Sequence, residues 1–135
     1  MRRILGVLVV LAGLAGSAAK ADDAADIAAV IGDQMQAFSA RDLDRAFSHA
    51  SPTIKGLFGD PANFGRMVAQ GYPTVWDNSR TRFMELREVG GAFWQRIEVT
   101  GADGAVRYYD YQMIPTGEGW QINAVQPVEL PGTGV

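Results

Sequence analysis

The 135-residue chain contains no cysteine and one histidine, His49. The first absence excludes disulfides, thiolate nucleophiles and sulfur-ligated metals, so stability has to come from packing. The second excludes a histidine-rich metal centre and leaves His49 as the single imidazole for acid/base work. No apolar run reaches the ~20 residues that a bilayer-spanning helix needs. The 12 basic residues face 15 acidic ones, and the nine that lie beyond residue 21 are scattered, which argues against nucleic acid or an anionic membrane as partner. Absent too are a G-x-S-x-G nucleophile elbow, a G-x-x-x-x-G-K phosphate loop and an H-E-x-x-H zinc pattern.

What stands at the start is a basic pair, Arg2 and Arg3, then a short apolar stretch from Ile4 to Leu14, then Ala19, Lys20 and Ala21 before Asp22 and Asp23. A basic start, an apolar centre and a small-x-small site make a secretory signal peptide, with cleavage expected after Ala21. A lipoprotein would need cysteine at that point. The expectation is therefore a periplasmic or secreted protein without a membrane span, and losing Arg2, Arg3 and Lys20 would move its net charge from −3 to −6. What remains, residues 22–135, suffices for one core and not two.

The first half of this domain has helical periodicity. Ile27, Val30, Ile31, Met35 and Phe38 fall on one face of a helix that Asp23 or Asp26 is placed to cap and that ends near Ala40. Asp42 caps a second helix carrying Leu43, Ala46, Phe47 and Ala50, stopped by Ser51 and Pro52. A short turn presents Ile54, Leu57 and Phe58. Asp60 followed by Pro61 is a strong start signal for a helix with the stripe Phe64, Met67, Val68 and Tyr72, broken at Pro73. From residue 80 the period changes to two. Strands are expected over 81–89, 92–100, 106–114 and 120–125, the first pair joined at Gly90 and Gly91. Residues 127–135 read as a frayed tail. Phe93, Gln95, Ile97, Val99, Tyr109, Tyr111 and Met113 share one face; Trp94, Arg96, Glu98, Tyr108, Asp110 and Gln112 share the other. Trp120, Ile122 and Ala124 form the apolar face of the last strand, while the phase of the first strand stays open between Phe83 with Val89 and Met84 with Leu86. The fold class is α+β, with N-terminal helices packed on a curved four-stranded antiparallel meander.

Element order and local strings resemble a known family. Ala46-Phe-Ser-His-Ala-Ser-Pro52, Phe64-Gly-Arg-Met-Val68, Gly71-Tyr-Pro73, Trp94-Gln-Arg96, Asp110-Tyr-Gln-Met113 and Gly119-Trp-Gln-Ile122 are similar to the bacterial domain-of-unknown-function family 4864, over about residues 24–126. The resemblance implies membership of the cone-shaped, cystatin-like superfamily of nuclear transport factor two and ketosteroid isomerase. That superfamily holds isomerases, dehydratases and hydrolases beside binding and dimerisation modules, so it assigns no reaction.

Candidate chemistry is sparse. Asp110 lies on the strand face opposite Tyr109 and Tyr111, so one strand does not converge them on a substrate. His49, near a helix C-terminus, suits a cation placed against the helix dipole. Asp42 and Asp44 read as a cap and a first-turn charge. Aromatics with polar tips are the better lead: Tyr72, Trp76, Gln95, Tyr109 and Tyr111 are the expected lining of a pocket for a small apolar ligand, set against the plain alternative of a filled core. Trp94, Tyr108 and Met84 on the other sheet face would suit a homodimer. No cofactor or metal is expected. The leading functional expectation is a non-catalytic ligand-binding or dimerisation module; the alternative is an acid/base lyase, isomerase or hydrolase drawing on His49, Asp44, Glu85, Asp110 or Tyr111 inside the cone.

Overall fold

The computed structural model describes the backbone of residues 2–130 and the side chains of residues 21–130, so the expected leader lies, apart from Ala21, outside the described side chains. The first helix, α1, runs Arg2–Ser39. Neither Asp23 nor Asp26 caps it, because the backbone is already helical at both; the alanines at 21, 24, 25, 28 and 29 favour helix and nothing in the run breaks it. Its inward stripe is Ile27, Ile31, Met35 and Phe38, all buried, with Val30 packed at the margin.

Short capped helices follow. In α2, Leu43–Ser48, the Arg45 N–H donates to the Asp42 side chain at 3.2 Å; α3 spans Pro52–Phe58 and α4 spans Pro61–Gly71. Both α3 and α4 carry proline in the first turn, where the missing N–H leaves no bond unmade. Asp60 caps α4 by accepting from the Asn63 N–H at 2.8 Å. Gly65 lets α4 close on α2, since a Cβ there would lie 2.7 Å from a Leu43 methyl. Pro73 ends α4 as expected but then opens one more turn, α5, Pro73–Trp76, which buries Val75.

The sheet is the expected meander, in order β1-β2-β3-β4 and antiparallel throughout: β1 Asn78–Val89, β2 Ala92–Gly101, β3 Val106–Thr116 and β4 Gly119–Val128. Gly90 (φ 59°) and Gly91 (φ 84°) both adopt the left-handed conformation that a tight hairpin turn requires. Residues 127 and 128, expected in the frayed tail, continue β4, where Val128 pairs with Tyr108.

Two bulges set which side chains face the helices. In β1, Phe83 pairs with Ile97 and Leu86 with Gln95, so Met84 and Glu85 together oppose one residue of β2. The bulge resets the alternation and puts both Phe83 and Leu86 on the inner side. Gln95 fills it: its Nε2 donates to the Met84 carbonyl at 3.0 Å and to the Arg96 carbonyl at 2.9 Å. In β4, Ile122 pairs with Met113 but Ala124 pairs with Gln112, leaving Asn123 as the extra residue. Ala124 therefore departs from the face it was expected to share with Trp120 and Ile122, and Val125, opposite Tyr111, takes its place.

The helical layer is fastened to β4 through Ala50 and Ser51. Ala50 bridges Ile122 in parallel, the Ile122 N–H donates to the His49 carbonyl at 2.8 Å, and the Ser51 N–H donates to the Ile122 carbonyl at 2.8 Å. Ser51 is fully buried; its hydroxyl donates to Asn123 Oδ1 at 2.8 Å and accepts from the Ile54 N–H, capping α3. Asn123 Nδ2 passes the chain on to Gln112 Oε1. Ser51→Ala removes both the cap and the bond to Asn123, with an expected loss of about 1–3 kcal/mol. A urea titration should show a lower midpoint with unchanged slope.

Candidate functional site

Between the helices and the C-terminal half of the sheet lies a cavity of about 350 Å³. Its floor is Tyr111 of β3 with Ile122 and Val125 of β4; α4 supplies Phe64, Met67 and Val68, and α1 supplies Gln34 and Phe38. Ile54 and Phe58 of α3 complete a largely apolar wall. This wall is the loosest part, for α3 has no buried residue and Leu57 is 69 % exposed. Phe64 organises the aromatic side, packing against Phe38, Phe47 and Phe58 at centroid separations of 6.0, 5.3 and 6.0 Å.

Of the five residues expected to line a pocket, Tyr72 and Tyr111 border this cavity. The Tyr72 hydroxyl donates to the Val125 carbonyl at 3.1 Å, tying the end of α4 to β4. Burial pushes the Tyr111 phenol well above its ordinary range. Tyr109 is buried beside Tyr72, its ring centroid 6.0 Å away, and its hydroxyl meets the Thr74 side chain; burial raises its pKa as well. Trp76 sits under the Arg41 guanidinium, 3.9 Å from the ring centroid, while Arg41 binds the Trp76 carbonyl and Asp77. Gln95 is occupied by the β1 bulge. Tyr109, Trp76 and Gln95 therefore serve the frame of the fold, away from the cavity lining.

Gln34, Phe64, Met67 and Val68 were not singled out as site residues. The α4 residues form an amphipathic stripe that reads as ordinary core. Gln34 did leave a signal: it interrupts the apolar stripe of α1 between Ile31 and Phe38, at helical spacing from both.

The candidate acid/base groups do not meet in the cavity. Asp110 lies on the outer sheet face, with its side chain 10 % exposed, between Arg96 at 2.9 Å and Arg87 at 3.1 Å. Arg96 beside it holds the carboxyl below its ordinary range. Glu85 joins the same cluster 3.4 Å from Arg96. A parallel row joins Arg82 to Glu98 at 3.0 Å and Glu98 to the Tyr108 hydroxyl at 2.9 Å. These ion-paired rows run among half-buried Trp94, Tyr108 and Met84, on the face considered for a homodimer. Asp44 stays a first-turn charge of α2.

His49 lies elsewhere, in a second hollow shared with Asp26, Glu118 and Trp120. Its Nε2 is 2.6 Å from Asp33 Oδ2, and Arg45 approaches the other Asp33 oxygen at 2.6 Å. His49 is the C-cap of α2, at the helix end where it was expected, and its contact with Asp33 adds a side-chain clamp joining α1 to α2. The Arg45 hydrogen bond, followed by the one to His49, lowers the Asp33 pKa from 3.8 to about 2.

Because the folded state favours the Asp33 carboxylate, the stabilisation is complete above its ordinary pKa of 3.8 and fades as pH falls toward about 2. The side chain is 40 % exposed, so screening limits the effect to about 1 kcal/mol or less. Asp33→Asn should destabilise the protein at pH 6 by this small amount and leave stability at pH 2 nearly unchanged, as read by urea denaturation at the two values.

Among the described residues no group of three or more His, Cys, Asp or Glu is placed to hold a metal, and no helix is long and apolar enough to cross a membrane. No curated protein and no solved structure matches the chain. The family described as "Domain of unknown function (DUF4864)" matches residues 20–135, covering the second half of α1, the other helices and the whole meander, and the chain belongs to it.

Proposed function

We propose that this protein is an exported, non-catalytic module whose cavity takes up a small apolar ligand. The observation that carries the reading is the cavity itself: a partly open space of about 350 Å³ bordered by Phe38, Phe58, Phe64, Val68 and Val125, with no carboxylate or imidazole in its lining. Protein interiors ordinarily close such spaces to crystal-like density, and apolar hollows with a few polar groups are where small ligands bind. The volume is near the lower end of the roughly 300–1,000 Å³ usual for ligand pockets.

Export rests on the leader-like residues 1–21 and suits a cysteine-free domain held by packing and side-chain hydrogen bonds. Placement in the cone superfamily is supported by the element order, helices and then an antiparallel meander, with the cavity between the layers. The enzymatic alternative needs a proton-transfer pair near a bound substrate; Tyr111 is in the cavity, whereas His49 and Asp110 are in other places. The outer face supports the homodimer reading less well than the cavity supports a ligand, because its aromatics are interspersed with ion-paired arginines.

Native mass spectrometry of the protein released from cells by osmotic shock tests both arms. The expected species is a chain beginning at Asp22 that carries the added mass of one small molecule. Met67→Trp, which fills the cavity from α4, should abolish the added mass while preserving the fold. Retention of residues 1–21 would contradict export, and a ligand-free wild type that gains no thermal stability from lipophilic compounds would contradict binding.

A further inference from the structure

Two polar side chains of the cavity lining, Tyr111 and Gln34, each keep an atom that no described residue engages, although no fully buried side-chain nitrogen or oxygen among the described residues lacks a partner. Tyr111 is 1 % exposed and borders the cavity, yet its hydroxyl has no hydrogen-bond partner among the described residues. Gln34 is 3 % exposed and borders the same cavity. Its amide is oriented by chemistry: the Ala46 carbonyl can only accept, so Nε2 faces it at 3.0 Å and Oε1 is left over. Of the other polar side chains in the lining, Gln126 is exposed, and those of Asn123 and Tyr72 are engaged within the fold. Asn123 accepts from Ser51 and donates to Gln112, and the Tyr72 hydroxyl donates to Val125.

Because every fully buried side-chain nitrogen and oxygen among the described residues has a partner, these two unpartnered atoms are open to the cavity, and a ligand that displaces water from it has to replace their hydrogen bonds. We propose that the ligand of this cavity is an uncharged, mainly apolar molecule whose single polar end is a hydroxyl, accepting from Tyr111 and donating to Gln34. This rests on the cavity being a ligand site. A hydroxyl both accepts and donates, matching one free phenol and one free amide oxygen. A charged ligand is disfavoured because the lining carries no ionised side chain to balance it. The phenol keeps its proton at any physiological pH, so Tyr111 remains a donor.

The test uses 1-naphthol and 1-methylnaphthalene, which differ by a hydroxyl in place of a methyl, titrated calorimetrically into the wild-type protein and Tyr111→Phe. The wild type should bind 1-naphthol about five- to a hundredfold more tightly than 1-methylnaphthalene, the range expected for satisfying a buried polar group. Tyr111→Phe should lose most of that preference while binding 1-methylnaphthalene as before. Gln34→Met should reduce the preference too. Equal binding of both compounds by the wild type overturns the assignment of a hydroxyl-bearing ligand but leaves the cavity reading standing; binding of neither overturns the cavity reading itself. Should Tyr111→Phe fail to fold, the two wild-type affinities still decide.

Discussion

The fold depends on a short parallel contact between the Ala50–Ser51 segment and Ile122. It supplies partners for backbone groups on the outer edge of β4, an edge that would otherwise be open to pairing with another chain. It also ends α2, starts α3 and sets the height of the helical layer above the sheet. Buried Ser51 binds Asn123, and Asn123 is the extra residue of the β4 bulge. One serine thus couples a helix cap, a strand irregularity and the docking of two layers.

That coupling separates the two faces of the sheet chemically. Outside, arginines and carboxylates pair across the strands in rows, Arg82 with Glu98 and Arg96 with Asp110. Inside, the bulges bring Leu86 and Val125 onto the face beneath the helices. The cavity lies where α3 and α4 span the sheet beside Tyr111, and α3 is the least anchored of these walls. With no buried residue of its own, α3 can swing away from the rigid floor at little cost in buried surface. The family match carries no activity with it, so the functional argument rests on this geometry.

The helices, the strand order and the hairpin were readable from local chemistry. Asp60 with Pro61 marked a start, Gly90 with Gly91 marked a turn, and period-two alternation sorted most of β2 and β3 into faces. Alternation failed at the bulges, because one inserted residue reverses every later side chain and leaves no local mark. Hence Ala124 changed face, and of the two sets that competed for the inner side of β1, Phe83 with Val89 and Met84 with Leu86, it is Leu86 that packs against the core while Phe83 and Val89 stay exposed. Composition pointed toward an aromatic pocket, but an aromatic residue in a sequence does not disclose its neighbour. Trp76 pairs with Arg41 and Tyr109 with Tyr72, while Tyr111 alone keeps a free hydroxyl beside the cavity. Gln34 was visible as a polar break in an apolar stripe; what it faced depended on α2, twelve residues away in the chain.

The central claim is that apolar space between α4 and β3–β4 is open to a guest. Xenon enters dry apolar cavities and needs no functional group to hold it. Diffraction from a crystal of this protein under xenon pressure should reveal an ordered xenon atom among Phe64, Val68 and Val125. A crystal in which side chains occupy that space and no xenon binds would contradict the account.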